Sequence, residues 1–120
     1  MKKKVIVLGA STDVSRYSNK AVRRLLSKDF EVIAIGKKEG VIENVQIQTT
    51  QPSVDNVYAL TLYINPQIQK QYYDYIIKTN PGFIFFNPGT YNEELESLAR
   101  QNNIKTCEGC TLVALSVGEF

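Results

Sequence analysis

The chain has no histidine and no tryptophan, and only one methionine, two cysteines and four prolines among its 120 residues. The missing histidine excludes most. Ser-His-Asp and Cys-His nucleophilic chemistry, phosphohistidine transfer and histidine-ligated metals all need an imidazole. Two cysteines cannot by themselves supply the four ligands of a structural zinc site. They could do so only if zinc were shared across a dimer, so no metal site is expected. Cys107 and Cys110 form a C-x-x-C near the C-terminus, leading into an apolar segment. A thioredoxin-like pair instead opens a helix after an early strand. The spacing is therefore read as coincidental, with one of the two thiols still available for a role.

Long apolar runs are missing as well. Lys2, Lys3 and Lys4 precede an apolar stretch that runs only from Val5 to Leu8 before Gly9. That is too short for the about 7 to 15 apolar residues of a signal-peptide core. No stretch approaches the ~20 residues of a membrane span. The expectation is a cytoplasmic protein with reduced thiols and no membrane partner. A formal net charge of +2 gives no argument for nucleic acid, and the basic residues form no aromatic-interleaved stripe.

What is present is ordinary globular composition, 43% hydrophobic and 22% charged, in a length that suits one domain over residues 1–120. Short apolar runs alternate with helical patterns. Strands are expected at Lys3–Leu8, Phe30–Ile35, Val57–Ile64, Phe83–Phe86 and Ile104–Cys107, with a weaker one near Val45–Ile47. Between them, Ser18 can cap a helix reaching about Lys28, whose inner face is Ala21, Val22, Leu25 and Leu26. A second helix fits Gln67–Lys78, and a third, capped by Thr90 or Asn92, reaches about Asn102. Thr111–Val117 is a terminal apolar segment. The alternation specifies an α/β fold: a Rossmann-like, doubly wound, mainly parallel sheet of about five strands with helices on both faces.

In such sheets ligands bind beyond the C-terminal strand ends, so the residues after each strand carry the argument. Gly9, Ala10 and Ser11 follow the first. The glycine permits close backbone approach, and Ser11 offers a hydroxyl to a phosphate. The full G-x-G-x-x-G is absent, and the loop to Ser18 is long. Arg16 and Lys20 place positive charge where a helix N-terminus disfavours it, which points to a bound anion. Gly36, Lys37 and Lys38 follow the second strand, where an NAD site would carry an acid for the ribose hydroxyls. Two lysines there suit a phosphate on the adenosine ribose, as in NADP or the 3′-phosphate of coenzyme A. The plainer alternative is a solvated basic turn. Asn87-Pro88-Gly89-Thr90 can hold N–H groups towards a ligand, though Pro-Gly is also a common turn pair. Tyr63, beside the strand end at Asn65-Pro66, is a better candidate for ligand contact than Tyr72 or Tyr75, whose helical spacing suggests packing.

Five blocks then stand in order: V-I-V-L-G-A-S (Val5–Ser11), R-Y-S-N-K-A-V (Arg16–Val22), L-Y-I-N-P (Leu62–Pro66), N-P-G-T-Y-N-E-E-L (Asn87–Leu95) and C-T-L-V-A-L (Cys110–Leu115). As an ordered set they resemble the stand-alone CoA-binding domain proteins, relatives of the CoA-binding domain of the succinyl-CoA synthetase α subunit. The resemblance implies a cofactor lying along the switch-point crevice. Gly9, Ala10 and Ser11 would contact the pyrophosphate; Arg16, Tyr17, Ser18 and Lys20 would neighbour the phosphates. Gly36, Lys37 and Lys38 would meet the phosphoadenosine end, although the family often has Asn-Pro-Lys there. Asn65, Pro66, Asn87, Pro88 and Gly89 would line the crevice, and Cys110 matches a cysteine that recurs near the family's C-terminus.

The functional expectation is a small protein that binds CoA or an acyl-CoA, without catalysis of its own. No catalytic residue presents itself, and ligase activity does not transfer with the fold. The alternatives are an NADP-binding, reductase-like protein and a protein-interaction module with a vestigial crevice. A protein partner would fit either binding reading. Cys110 could form a mixed disulfide with CoA, or serve as a small buried hydrophobe.

Overall fold

The apolar runs form the strands, and a glycine or an Asn-Pro turn closes most of them. The computed structural model describes residues 2–120. In chain order the elements are β1 (Lys4–Leu8), α1 (Tyr17–Ser27), β2 (Glu31–Ile35), β3 (Gly40–Ile42), β4 (Val45–Gln48) and β5 (Val57–Leu62). There follow α2 (Pro66–Gln69), a 3₁₀ turn (Lys70–Tyr72), α3 (Tyr73–Thr79), β6 (Phe83–Phe86), α4 (Glu93–Gln101), β7 (Lys105–Glu108) and α5 (Thr111–Ser116).

The strands make one sheet of seven in the order β3-β4-β2-β1-β5-β6-β7. Every pairing is parallel except β3 with β4. The sequence reading of about five strands is thus low, while the Rossmann-like class stands. Gly40–Ile42, where no strand is expected from the sequence, forms an edge hairpin with β4. Three residues are too few to show a period of two, so β3 leaves no pattern to read.

The switch in strand order lies at β1. It pairs with β2 on one side, Val5 opposite Val32, and with β5 on the other, Leu8 opposite Leu62. Alternating residues of these central strands feed two separate cores. Ile6, Leu8, Leu60 and Leu62 pack with Ile76, Leu95 and Ala99 from α3 and α4. Val5, Val7 and Ala59 pack with Val22 and Leu25 of α1 and Leu115 of α5. Central strands buried on both faces read as continuous apolar runs for this reason. Truncating fully buried Leu25 or Leu60 to alanine would cost about 2–5 kcal/mol.

Two helix details differ from the sequence reading. Ser18 is not a cap. The chain turns earlier, at Asp13, whose carboxylate accepts from the Ser15 amide (2.9 Å) and hydroxyl (2.6 Å). The helix therefore begins at Tyr17 with Arg16 as N-cap, and Ser18 lies buried inside it. The helix expected over Gln67–Lys78 is broken into α2, the 3₁₀ turn and α3. At Tyr72 the backbone leaves the α region (φ −108°, ψ 0°). A 3.6-residue pattern cannot register so local a change. Asn92 does cap α4, its side-chain Oδ1 accepting from the amides of Glu94 and Leu95 at 3.0 and 3.2 Å.

Candidate functional site

The loops after β1, β2 and β5 meet at the switch point, and two glycines set how closely. Gly9 has φ +106°, and a Cβ there would stand 3.0 Å from the backbone carbon of Tyr63. The amides of Gly9 and Ala10 both donate to the carbonyl of Ile35, at 2.8 and 2.9 Å. Gly36 is buried, and a Cβ on it would lie 2.3 Å from the carbonyl oxygen of Ala10. The β1 loop is thus clamped between the ends of β2 and β5, with no room for a side chain at either glycine.

Ser11 is half-buried beside this clamp. Its hydroxyl oxygen accepts from the Asp13 amide at 3.1 Å, which leaves the hydroxyl proton free to donate. Its carbonyl is held by Asn19 Nδ2 at 2.9 Å, and Asn19 Oδ1 accepts from Arg23 Nε at 2.8 Å. Arg16, Tyr17 and Lys20 are exposed at the head of α1, with the Lys20 ammonium 5.2 Å from the centre of the Tyr17 ring. Arg16 Nε stands 3.9 Å from Asp13 Oδ2. The two hydrogen bonds from Ser15 hold the Asp13 carboxyl below its usual range. Lys37 and Lys38 project into solvent after β2.

On the other side of β1, Asn65 caps α2 by accepting from the Ile68 amide at 2.9 Å, and Pro66 fills the first helical position. Pro88 and Gly89 are exposed at the tip of the loop after β6. Asn87 is 3% exposed and differs from its sequence expectation. Its amide nitrogen donates to Thr61 Oγ1 (2.6 Å) and to the Leu62 carbonyl (2.8 Å). Its oxygen accepts from the Thr111 amide (2.9 Å), and its backbone carbonyl from the Thr90 hydroxyl (2.7 Å). Asn87 therefore braces the site from beneath.

Tyr63 differs in a similar way. Its hydroxyl is buried and takes no hydrogen-bond partner. The hydroxyls of Thr61 and Thr111 are close by, but they bond each other at 2.8 Å, and Thr61 also accepts from Asn87. Burial raises the Tyr63 phenol to about 12. Cys110, at the N-cap of α5, is partly exposed, and both cysteines are free thiols. Among the described residues no group of three potential ligands could hold a metal, and no helix is long and apolar enough to cross a membrane.

Sequence reasoning missed the supporting polar residues. Thr61 and Thr111 form a buried pair, and buried Gln69 donates to the carbonyls of Ile64 and Thr90, both at 2.8 Å. Asn92 Nδ2 closes the network by donating to Gln69 Oε1 at 2.9 Å. A signal existed for Gln69. It stands at helical spacing before Tyr72, Tyr73 and Ile76, a polar residue on a buried face.

Comparison with solved structures gives the fold the same frame. A protein of uncharacterised function is 43% identical to this chain, with a TM-score of 0.96 over 100% of this chain and 99% of its own. A Thermus thermophilus protein is 18% identical, with a TM-score of 0.87 over 99% of this chain and 91% of its own. The dinucleotide forming acetyl-coenzyme A synthetase of Ca. Korarchaeum cryptofilum, in complex with phosphate and ADP, is 20% identical with a TM-score of 0.71. The match covers 87% of this chain but only 25% of that one, so the likeness is to one part of a much larger protein. No curated protein sequence matches significantly. Residues 3–116 match the family described as CoA binding domain, which spans the clamp, the lysines after β2 and Cys110; the chain belongs to that family.

Proposed function

We propose that the protein binds coenzyme A, free or acylated, along the crevice above β1, and that it does so without catalysing a reaction. The observation that carries this reading is the clamp at Gly9 and Gly36. It brings the β1 backbone to the switch point with no side chain in the way, at the head of an eleven-residue helix with no acid in its first turn. The Gly9 and Ala10 amides are held by Ile35. A pyrophosphate there would therefore be met by the first-turn amides at the positive end of α1, which no side chain caps. Ser11 lies in the loop before α1, and Arg16 and Lys20 are exposed at the head of that helix. Lys37 and Lys38 would take the 3′-phosphate of the ribose, where an acid would be wanted for NAD.

Pro88, Gly89 and Cys110 are among the partly or fully exposed residues past β6 and β7, a route for the pantetheine arm. A thiol arriving at Cys110 could exchange into a mixed disulfide when an oxidised form such as CoA disulfide is supplied. The Cys110 thiolate would then displace one CoA thiolate. Buried Asn87 and the inward hydroxyl of Tyr63 belong to the support of the crevice.

Isothermal titration with CoA, NADP and NAD in parallel tests the reading. It requires CoA to bind and the two dinucleotides to bind far more weakly. Preferential binding of NADP would replace it with a reductase-like role. No binding by any of the three would leave a protein-interaction module built on the same scaffold.

A further inference from the structure

We infer that the groove between α1 and α5 is a docking site for an acidic amphipathic helix of a partner protein. Lys20, Arg23 and Arg24 line one wall, Leu112 and Val113 the other, and no acid is among the lining residues. On α1, Tyr17, Lys20, Arg24 and Ser27 fall at i, i+3, i+7 and i+10, a single stripe along the helix. That stripe is about 15 Å long. Among the described residues none of the three cations is ion-paired. Arg23 is held in place through Asn19 and the Val14 carbonyl.

The apolar component lies on α5: Leu112 and Val113 line the groove, and Val113 is 59% exposed. Three unpaired cations in one groove also stand out on a chain whose net charge is only +2. The groove is open and shallow, walled by α1 and α5, and a helical rod laid along α1 would cover it. The rod that complements it has an apolar ridge flanked by carboxylates, the helix-in-groove mode of recognition. The groove shares Lys20 with the proposed phosphate site, while Arg23, Arg24, Leu112 and Val113 belong to the groove alone.

The test uses the full chain and a dye-labelled synthetic helix of about 18 leucines and glutamates in amphipathic order, read by fluorescence anisotropy. A scrambled peptide of identical composition is the control. The expected result is binding of the ordered peptide at least about tenfold tighter than the scrambled one, weakening as salt rises. Arg24→Glu should weaken it about fivefold and Val113→Asp about tenfold. Both side chains are exposed, so circular dichroism and melting should be unchanged and serve as the folding control. Equal binding of the two peptides, no binding, or indifference to both substitutions would overturn the proposal. So would Val113-dependent co-sedimentation with phosphatidylserine vesicles in place of peptide binding, which would make the surface a membrane contact. Self-association abolished by Arg24→Glu would assign the groove to a second copy and overturn it equally.

Discussion

The side chain of Asn87 and the backbone of Thr111 are joined by a buried hydrogen bond of 2.9 Å, and this bond ties the end of β6 to the start of α5. The same side chain donates to Thr61 and to the Leu62 carbonyl at the end of β5. Three elements on one side of the switch point thus share one amide.

Asn87→Leu should therefore be severely destabilising. It leaves the Thr111 amide and the Leu62 carbonyl buried with a partner lost, each at a cost of about 1–3 kcal/mol. A total loss of about 2–5 kcal/mol is expected from urea unfolding. Asn87→Asp should recover little, because a carboxylate cannot donate to Thr61 or Leu62. Wild-type stability in either variant would show that the network is dispensable.

Gly36→Ala tests the clamp. A methyl group 2.3 Å from the Ala10 carbonyl must displace the β1 loop from β2, at about 1–3 kcal/mol. Gly9→Ala adds backbone strain at φ +106°, of about the same size. Both variants should lose CoA affinity by more than their melting shift explains. Titration at a temperature where each is fully folded makes the comparison.

Lys37→Glu/Lys38→Glu should leave stability unchanged, since both side chains are exposed. It should weaken CoA binding by about tenfold or more. Dephospho-CoA supplies the control: the wild type should bind it less tightly than CoA, whereas the variant, with carboxylates facing the 3′-phosphate, should bind it at least as well as CoA. An undiminished preference for CoA in the variant would remove these lysines from the site.

The buried phenol gives a pH prediction with a definite sign. Tyr63 titrates at about 12 in the folded chain and at about 10 when unfolded. Above pH 10 the unfolded chain releases this proton and the folded one retains it, so stability falls as pH rises from 10 to 12. The full contribution is up to about 2–3 kcal/mol. Tyr63→Phe should remove that part of the alkaline loss. Because the hydroxyl has no partner, the variant should match or exceed wild-type stability at pH 7. Urea midpoints of both proteins at pH 7 and pH 11 provide the measurement.

The alternation of the main strands with helices and the doubly wound class were legible in the sequence. Runs such as Val5–Leu8 and Phe83–Phe86 are apolar because both faces of a central strand are covered, and the residues that end them carry the chemistry of turns. Gly9, Gly36 and the lysines after it could be singled out because local chain geometry and charge are properties of the sequence itself. The tertiary structure alone decided which polar residues face inward. Asn87 and Tyr63 sit at strand ends, where a residue can turn to the crevice or to the core. The partners that draw Asn87 inward, Thr61 and Thr111, are 26 and 24 positions away in the chain. The β3 hairpin, whose three residues are ordered by β4 beside them, is a further case, whereas the Asp13–Ser15 turn that displaces Ser18 from its capping role is local. Hydrogen bonds between distant segments form only once the chain has folded, and no local pattern records them.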